Sequence, residues 1–196
     1  MKLVLASGSP RRKELLEALG LKFDVLITDT NEDAITSQGI GVDLYVQELA
    51  LMKAAEAAKL LIKNKNVIII AADTVVTYDG EILGKPKDKI DAFNMLKKLS
   101  DKEHQVFTGI CVMRVSDGKT YCAPMCTGVK FKELTDEKIA AYIATGEPLD
   151  KAGAYGIQGK GAALVEYING DYNNVVGIST SLLADVLENE FDYKVL

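Results

Sequence analysis

Hydroxyl and guanidinium side chains occur together in residues 7–12, whose sequence is SGSPRR. An apolar run precedes them and a predicted helix follows, so the segment is a strand-to-helix turn. Backbone N–H groups at a helix N-terminus attract anions, and arginine side chains bind phosphate oxygens in pairs. Ser7, Arg11 and Arg12 are therefore candidate phosphate ligands. A helix N-cap followed by solvated arginines explains the same residues, and the segment alone does not decide between the two.

A carboxylate follows the most hydrophobic stretch of the chain. Residues 67–72 are all apolar, and Asp73 and Thr74 come directly after them. This pattern predicts a central strand that is covered on both faces and ends at Asp73. Ligands bind near strand ends in α/β sheets, where a carboxylate serves as a base or a metal ligand. We therefore favour a functional Asp73 over an aspartate that only caps a turn.

Three further charged residues are candidates, although none of them is strong evidence alone. Glu32 lies in a polar loop and could share a divalent cation with Asp73, because Mg²⁺ takes one or two carboxylates and fills its other positions with water and phosphate oxygens. Lys53 falls on the apolar face of a predicted helix, and Lys85 follows a predicted hairpin. Each ammonium group either extends into solvent or points toward a phosphate.

Residues 150–159 (DKAGAYGIQG) contain three glycines, which let the backbone approach a ligand closely. Among them Gln158 presents an amide donor and an acceptor, a combination that suits the edge of a nucleobase. A Gly-rich turn without a ligand explains the same residues. Taken together, the arginines, lysines, carboxylates and this segment match the requirements of a nucleoside triphosphate. The chain has no Walker A sequence, so any phosphate site is not a P-loop.

Composition argues against several other functions. The chain has 196 residues, of which 48% are hydrophobic, and its 23 basic and 28 acidic residues give a net charge of −5. A negative surface repels nucleic acid, so we expect no nucleic-acid binding. The longest apolar run has six residues, far fewer than the roughly 18 that a membrane helix needs. We expect no membrane span, no secretion signal, a cytoplasmic location and a single domain over residues 1–196.

Cysteine and histidine usage disfavours other catalytic chemistry. Cys111, Cys122 and Cys126 are an odd number in a chain without a secretion signal, so we expect reduced core thiols. The one histidine, His104, has polar neighbours that predict a solvated strand start, which disfavours a serine-histidine-aspartate triad. A zinc site would need further His or Cys ligands.

Alternating strand and helix patterns position these residues. Strands are predicted at residues 2–6, 23–27, 67–72, 75–78, 81–83, 105–115, 121–134 and 163–168. Helices are predicted at residues 10–19, 43–64, 89–100, 135–145 and 179–189, the first with Ser9 as N-cap and Pro10 at its first position. Asp79 and Gly80 suit a type I′ hairpin turn. The predicted class is α/β, with a mixed β-sheet flanked by helices.

Five sequence strings carry a resemblance to a known family. They are LASGSPRRKELL at residues 5–16, ALMKA at 50–54, AADTVV at 71–76, GKP at 84–86 and DKAGAYGIQG at 150–159. In this order they resemble the Maf family of nucleoside triphosphate pyrophosphatases, and the resemblance covers essentially the whole chain. It implies a Maf or ITPase-like fold with two lobes around a deep cleft.

The resemblance also implies an activity. It suggests a cytoplasmic enzyme that depends on a divalent metal cation (Mg²⁺ or Mn²⁺) and cleaves a nucleoside triphosphate to the monophosphate and pyrophosphate. The string at residues 150–159 is similar to the branch that acts on dTTP and UTP, and unlike the branch that prefers modified nucleotides such as 7-methyl-GTP. Modified pyrimidine triphosphates as substrates and a homodimer are left open.

Residue roles follow from the same resemblance. Asp73 matches the proton acceptor. The positions associated with substrate choice are matched by Arg11, Thr74 and Gln158. The cleft positions for phosphate and metal are matched by Ser7, Arg12, Glu32, Lys53 and Lys85. Asn31 departs from the pattern, because many members carry an acidic residue there.

The expected mechanism is attack of water on the α-phosphorus of the triphosphate. Asp73 removes the proton of this water, directly or through the metal, and pyrophosphate leaves. Two alternatives belong to other classes of function. One is a regulator of cell division and septum formation that acts by binding, and the other is a phosphatase that releases orthophosphate.

Overall fold

The computed structural model of the chain describes residues 1–30, 35 and 37–196. Within these residues, seven strands form one mixed sheet. They are β1 (Lys2–Leu5), β2 (Phe23–Val25), β3 (Val67–Tyr78), β4 (Glu81–Leu83), β5 (Glu103–Arg114), β6 (Thr120–Phe131) and β7 (Val165–Asn169). Their order is β2-β1-β3-β5-β6-β7, and β4 pairs with β3. β1 is parallel to β2 and β3, whereas the β3–β4 and β6–β7 pairs are antiparallel. The predicted α/β class with a mixed β-sheet is confirmed.

Helices of very different length connect the strands. They are α1 (Pro10–Ala18), α2 (Val42–Leu60), α3 (Lys89–Leu99), α4 (Asp136–Ile143), α5 (Tyr172–Val176) and α6 (Thr180–Phe191), together with 3₁₀ helices at Glu147–Asp150, Ala152–Ala154 and Gly159–Leu164. Oδ1 of Asp88 accepts hydrogen bonds from the N–H groups of Ile90 and Asp91, both at 2.8 Å, and so caps α3. The sequence pattern predicts neither α5 nor the 3₁₀ helices, because elements this short show no hydrophobic period.

The predicted strand end at Asp73 is wrong. β3 continues through Asp73 to Tyr78, so the strands predicted at residues 67–72 and 75–78 are a single strand. A buried carboxylate inside a strand is costly unless it has a partner, and the ammonium of Lys53 is that partner. The β-branched residues that follow Asp73 then favour continued extended structure.

One compact unit comprises Met1–Asp73, Thr108–Met125 and Gly177–Leu196. Successive residues of β1 and β3 face opposite sides of the sheet, and both sides are covered. One side packs in a cluster with α1 and α6 that includes Leu3, Leu5, Leu16, Ile68, Ile70, Leu187 and Phe191. The other side packs against α2 in a cluster that includes Val4, Ala6, Ala50, Ala54, Ala57, Ile69 and Ala71. The apolar run at residues 67–72 is thus covered on both faces, as predicted.

Helix α2 approaches β5 closely at Gly109. A Cβ atom at this position would lie 2.3 Å from the carbonyl oxygen of Val46 and 2.7 Å from the backbone nitrogen of Gln47. These distances leave no room for a side chain, so the contact between helix and strand requires glycine.

A second compact unit comprises Thr74–Phe107 and Cys126–Val176. Its core includes Val76, Leu83, Leu96, Leu99, Phe131, Ile139 and Tyr155. Asp79 and Gly80 join β3 to β4 with φ angles of 51° and 75°, as the predicted type I′ turn requires. The single domain and the two lobes around a deep cleft stay predictions. In the described part of the chain, no helix combines the length and apolar character needed to cross a membrane.

Candidate active site

Lys53 and Asp73 form a largely buried ion pair. Nζ of Lys53 lies 2.5 Å from Oδ1 of Asp73, and the two side chains are 13% and 12% exposed. Lys53 is on α2, where the small neighbours Ala50 and Ala54 pack against the sheet and bring the helix close to it. The ammonium of Lys53 therefore contacts a carboxylate rather than extending into solvent.

The burial of this ion pair makes it a candidate for function. Removing two charges from water costs several kcal/mol per ion, and their mutual attraction offsets that cost only when the geometry is favourable. A buried ion pair is thus weak evidence for stability, so a role in function is the other explanation for its presence. In this pair a carboxylate that could act as base or metal ligand lies beside a cation that could bind phosphate.

The register of the sheet explains where Asp73 lies. β1 and β3 are parallel, with Leu5 opposite Ile70, and the N–H of Ala6 donates to the carbonyl of Ile70 at 2.8 Å. β1 ends at Leu5, whereas β3 continues. Asp73 therefore occupies the part of β3 that extends beyond the carboxyl end of β1, and Ser7 follows β1 at this same edge. Ligands bind at such edges of parallel strands.

Two hydrogen bonds orient the guanidinium of Arg12. Nη1 of Arg12 donates to Oγ of Ser7 at 3.1 Å, and Nε donates to the carbonyl of Gly177 at 2.9 Å. The N–H of Ser9 also donates to Oγ of Ser7, at 3.2 Å. Ser9 occupies the predicted N-cap position of α1, but its side chain makes no capping bond. Arg11 is half-buried in the first turn of α1. A guanidinium held at two points is preorganised to bind phosphate.

The other predicted site residues belong to the second unit. Thr74 is half-buried on β3, Lys85 is exposed in the loop after β4, and Gln158 is half-buried directly before a 3₁₀ helix. The N–H of Gly153 donates to the carbonyl of Gly84 at 3.0 Å. This bond makes the GKP string and the string at residues 150–159 neighbours in the fold.

Packing accounts for part of the string at residues 150–159. Gly153 has a φ of 65°, and a Cβ atom there would lie 3.0 Å from the side chain of Val76. The N–H of Gly156 donates to the hydroxyl of Tyr142 at 3.1 Å, and burial raises the pKa of Tyr142 to about 12. A Gly-rich turn thus explains Gly153 without a ligand. The role of Gln158 in reading a nucleobase stays a prediction.

His104 lies in the core of the second unit, so the predicted solvated position is wrong. The residue is 2% exposed, and its Nε2 lies 2.8 Å from the hydroxyl of Tyr155. Its ring makes edge contacts with Phe131 and Tyr155, with centroid distances of 4.9 and 5.3 Å. Burial lowers the pKa of His104 to about 4, so the ring is neutral near pH 7. Its Nδ1 has no hydrogen-bond partner among the described residues.

The alternation of buried and exposed residues along β5 explains the burial of His104. His104 and Val106 are buried, whereas Glu103 and Gln105 are exposed, so the polar neighbours of His104 occupy the opposite face of the strand. Tyr155 lies in the string at residues 150–159. His104 therefore helps to hold the segment that contains the candidate residue Gln158.

A sequence model of the Maf-like protein family matches residues 2–190. The chain belongs to the Maf family. It is 48% identical to the dTTP/UTP pyrophosphatase of Thermoanaerobacter sp. (strain X514) over 196 residues, 100% of both chains. It is 47% identical to that of Dictyoglomus turgidum over 194 residues, 99% of this chain and 98% of the relative. It is 48% identical to that of Clostridium novyi over 183 residues, 93% and 94%. The resemblance to the Maf family is confirmed.

The predicted metal ligands of this Maf-family chain are only partly described. Glu32 and its neighbour Asn31 lie outside the described residues. In the ranges that the structure does describe, no three or more His, Cys, Asp or Glu side chains group so as to hold a metal ion. Asp73 offers one carboxylate, and Mg²⁺ needs only one or two when phosphate and water fill its other positions. The donor chemistry therefore fits a hard divalent cation bound together with a phosphate ligand.

The three cysteines of the Maf-family chain are free thiols in different surroundings. Cys111 is buried, Cys122 is half-buried and Cys126 is exposed. The prediction of core thiols is therefore wrong for Cys126, which lies on the part of β6 where the strand faces solvent.

Proposed function

We propose that this chain hydrolyses dTTP and UTP to the monophosphate and pyrophosphate. The observation that carries this proposal is the identity of about 47–48% to relatives named dTTP/UTP pyrophosphatase, over nearly the whole length of each chain. Modified pyrimidine triphosphates are further candidate substrates. The cytoplasmic location, the absence of nucleic-acid binding and a homodimer stay predictions.

In this proposal, cations of the first unit bind the triphosphate. Arg12 is already oriented by Ser7 and Gly177, so it loses little conformational freedom when it binds phosphate oxygens. Arg11 and Lys53 add positive charge, and Lys85 of the second unit is a further phosphate ligand. Neutralising the negative charge of the leaving pyrophosphate is the main contribution of such cations to the rate.

Asp73 is the proposed proton acceptor. When phosphate oxygens attract the ammonium of Lys53, they compete with the bond that now joins Nζ to Oδ1 of Asp73. The carboxylate is then available to take a proton from the attacking water. The water oxygen forms the bond to the α-phosphorus, the bond to the bridging oxygen breaks, and pyrophosphate leaves.

A divalent cation, Mg²⁺ or Mn²⁺, is part of the proposal. Glu32 and Asp73 would hold it, and it would supply charge neutralisation at the phosphates. The support for it is the carboxylate of Asp73 at the carboxyl edge of β1, together with the dependence on divalent cations that the family resemblance implies.

Gln158 and Thr74 are the proposed determinants of base choice. Uracil and thymine present two carbonyls and one N–H, which an amide side chain can match in part. Cytosine presents an amino group in place of one carbonyl, so a donor would face a donor. A buried polar group left unpaired costs about 1–3 kcal/mol, which is enough to disfavour CTP.

The test is hydrolysis of four nucleotides with the product identified. Purified protein is given dTTP, UTP, CTP or GTP with Mg²⁺ or Mn²⁺, and pyrophosphate and orthophosphate are measured separately. We expect pyrophosphate from dTTP and UTP. Release of orthophosphate would replace this proposal with the phosphatase alternative. No turnover of any nucleotide would favour the septum regulator.

The Asp73→Asn variant tests the proposed base. We expect kcat for dTTP to fall at least about 10²-fold while the protein stays folded, because a positioned base contributes about 10² to 10⁴ in rate. Asp24→Asn is a control, because Asp24 is an exposed carboxylate that also pairs with a lysine, Lys2. Turnover of the Asp73→Asn variant at the wild-type rate would show that Asp73 does not accept the proton.

A further inference from the structure

Two of the three thiols face each other across neighbouring strands. The backbone N–H of Arg114 on β5 donates to the carbonyl of Lys119, just before β6. At the far end of β6, the backbone N–H of Phe131 donates to the carbonyl of Lys102. At both ends of the strand pair, the numbers of the two paired residues add up to 233, so the register does not change between them. In that register Cys111 on β5 lies directly opposite Cys122 on β6.

The position of this pair within the ladder suits a disulfide. The hydrogen-bonded positions are 114 opposite 119 and 102 opposite 131, so odd-numbered residues of β5 form the non-hydrogen-bonded pairs. In such pairs the Cα atoms are about 4.5 Å apart. Disulfides form at Cα separations of about 4.4 to 6.8 Å. Cys111 and Cys122 can therefore be joined without moving either strand far, at the strained end of this range.

The two thiols also lie on the same face and contact each other. Both belong to the cluster under α2, with Cys111 buried and Cys122 half-buried. The thiol of Cys111 donates a hydrogen bond to the sulfur of Cys122, which raises the pKa of Cys111 and lowers the pKa of Cys122. The carboxylate of Glu48 on α2 acts in the opposite direction on Cys122. Cys122 is the more accessible of the two thiols, so it is the one that a peroxide reaches first.

We propose that Cys111 and Cys122 form a redox modification site that a peroxide converts into a cross-strand disulfide. This proposal is independent of the nucleotide chemistry. Cys122 attacks one oxygen of hydrogen peroxide, the O–O bond breaks, and Cys122 becomes a sulfenic acid as one water leaves. Cys111 then attacks the sulfur of Cys122, the S–OH bond breaks, and a second water leaves with the proton of Cys111. Two thiols are oxidised and one peroxide is reduced.

The neighbouring Cys126 provides an internal control. It is the most exposed of the three thiols, so exposure alone would make it the first to be oxidised. In the register of β5 and β6, position 126 lies opposite Phe107, so no cysteine faces it. If the strand register decides the reaction, Cys111 and Cys122 are oxidised together, whereas if exposure decides it, Cys126 is oxidised first.

The experiment treats the folded chain, and the Cys126→Ser variant, with hydrogen peroxide. Remaining thiols are alkylated in denaturant, and peptides are mapped by mass spectrometry without reduction. We expect a Cys111–Cys122 cross-linked peptide in both proteins, with loss of two hydrogen atoms from the intact mass and recovery of both thiols after dithiothreitol. Peroxide treatment in urea should abolish the preference for this pair.

Two further variants give the proposal a second test. In Cys122→Ser, Cys111 should stay fully alkylatable after peroxide, because it is buried and lacks its partner. In Cys111→Ser, Cys122 should stop at the sulfenic acid, which dimedone traps. The proposal is overturned if wild-type and Cys126→Ser proteins keep both thiols after peroxide, or if the cross-links that form involve Cys126 or a second molecule.

Discussion

The buried imidazole of His104 makes the stability of the protein depend on pH. Its pKa falls from 6.5 to about 4 in the folded chain, and the cause is burial. In the unfolded chain the ring returns to its ordinary pKa. Between pH 6.5 and about 4 the unfolded state therefore binds a proton that the folded state does not. Stability is fully present above pH 6.5 and decreases as the pH falls toward about 4.

The magnitude follows from the same pKa difference. Each pH unit between the two pKa values corresponds to about 1.4 kcal/mol. Acidification from pH 6.5 to about 4 should thus remove about 3 kcal/mol of the free energy of unfolding through His104. This is a large part of the total stability of a typical domain, which is about 5–15 kcal/mol.

Urea unfolding at a series of pH values measures this effect. The chain has no tryptophan, so far-UV circular dichroism is the suitable signal. Carboxylates such as Asp101, whose pKa is lowered by the hydrogen bond from Lys130, also lose stabilisation in acid. The contribution of His104 is therefore the difference between wild type and His104→Gln, which keeps a polar group but cannot gain a proton.

A second variant separates burial from hydrogen bonding. Tyr155→Phe removes the hydroxyl at 2.8 Å from Nε2, and should cost about 1 kcal/mol at every pH. Because burial is the cause of the shift, this variant should keep the wild-type slope below pH 6.5. An equal slope in wild type and His104→Gln would refute the reasoning, because the ring would then not titrate with a lowered pKa.

Three further predictions test the ion pair, the helix–strand contact and base choice. Lys53→Met should lower the free energy of unfolding, measured in urea, by about 3 kcal/mol, because it leaves the largely buried carboxylate of Asp73 without its partner. Lys59→Met is the control, because it removes an exposed ion pair on the same helix with the same distance of 2.5 Å. It should change the free energy of unfolding by less than about 1 kcal/mol. Similar losses in both variants would contradict a special role of burial. Gly109→Ala should lower the free energy of unfolding by at least about 1–3 kcal/mol. Gly84→Ala should lower it by less than about 0.5 kcal/mol, because a Cβ atom at position 84 meets nothing within 4 Å. Equal urea midpoints for these two would show that α2 moves away freely. Gln158→Leu should reduce the UTP-to-CTP ratio of kcat/KM about 5- to 100-fold, and an unchanged ratio would remove Gln158 from base choice.

Local signals allowed much of the fold to be predicted from the sequence. The start of α1 at Pro10, the cap of α3 at Asp88 and the turn at Asp79 all depend on residues within a few positions of each other. The continuation of β3 through Asp73 depends instead on Lys53, 20 residues earlier in the chain. No local pattern shows that a charged residue will find such a partner, so the predicted strand stopped there.

The candidate site shows the same division between local and distant contacts. The apolar spacing of α2 placed Lys53 on the inner face of its helix, but not beside Asp73. The bond between Arg12 and Gly177 joins residues 165 positions apart, which no sequence spacing indicates. The polar neighbours of His104 do not report on its own position, because a strand sends adjacent side chains to opposite faces.

The backbone contact at Gly109 allows the core around α2 to accept substitutions. Main-chain atoms of α2 and β5 meet there, so their separation is set by the backbone rather than by the volumes of surrounding side chains. Substitutions that change the volumes of core side chains around the helix should therefore leave the distance between α2 and the sheet unchanged. The distance between Lys53 and Asp73 would then stay the same after substitutions that would move a helix held in place by side-chain packing alone.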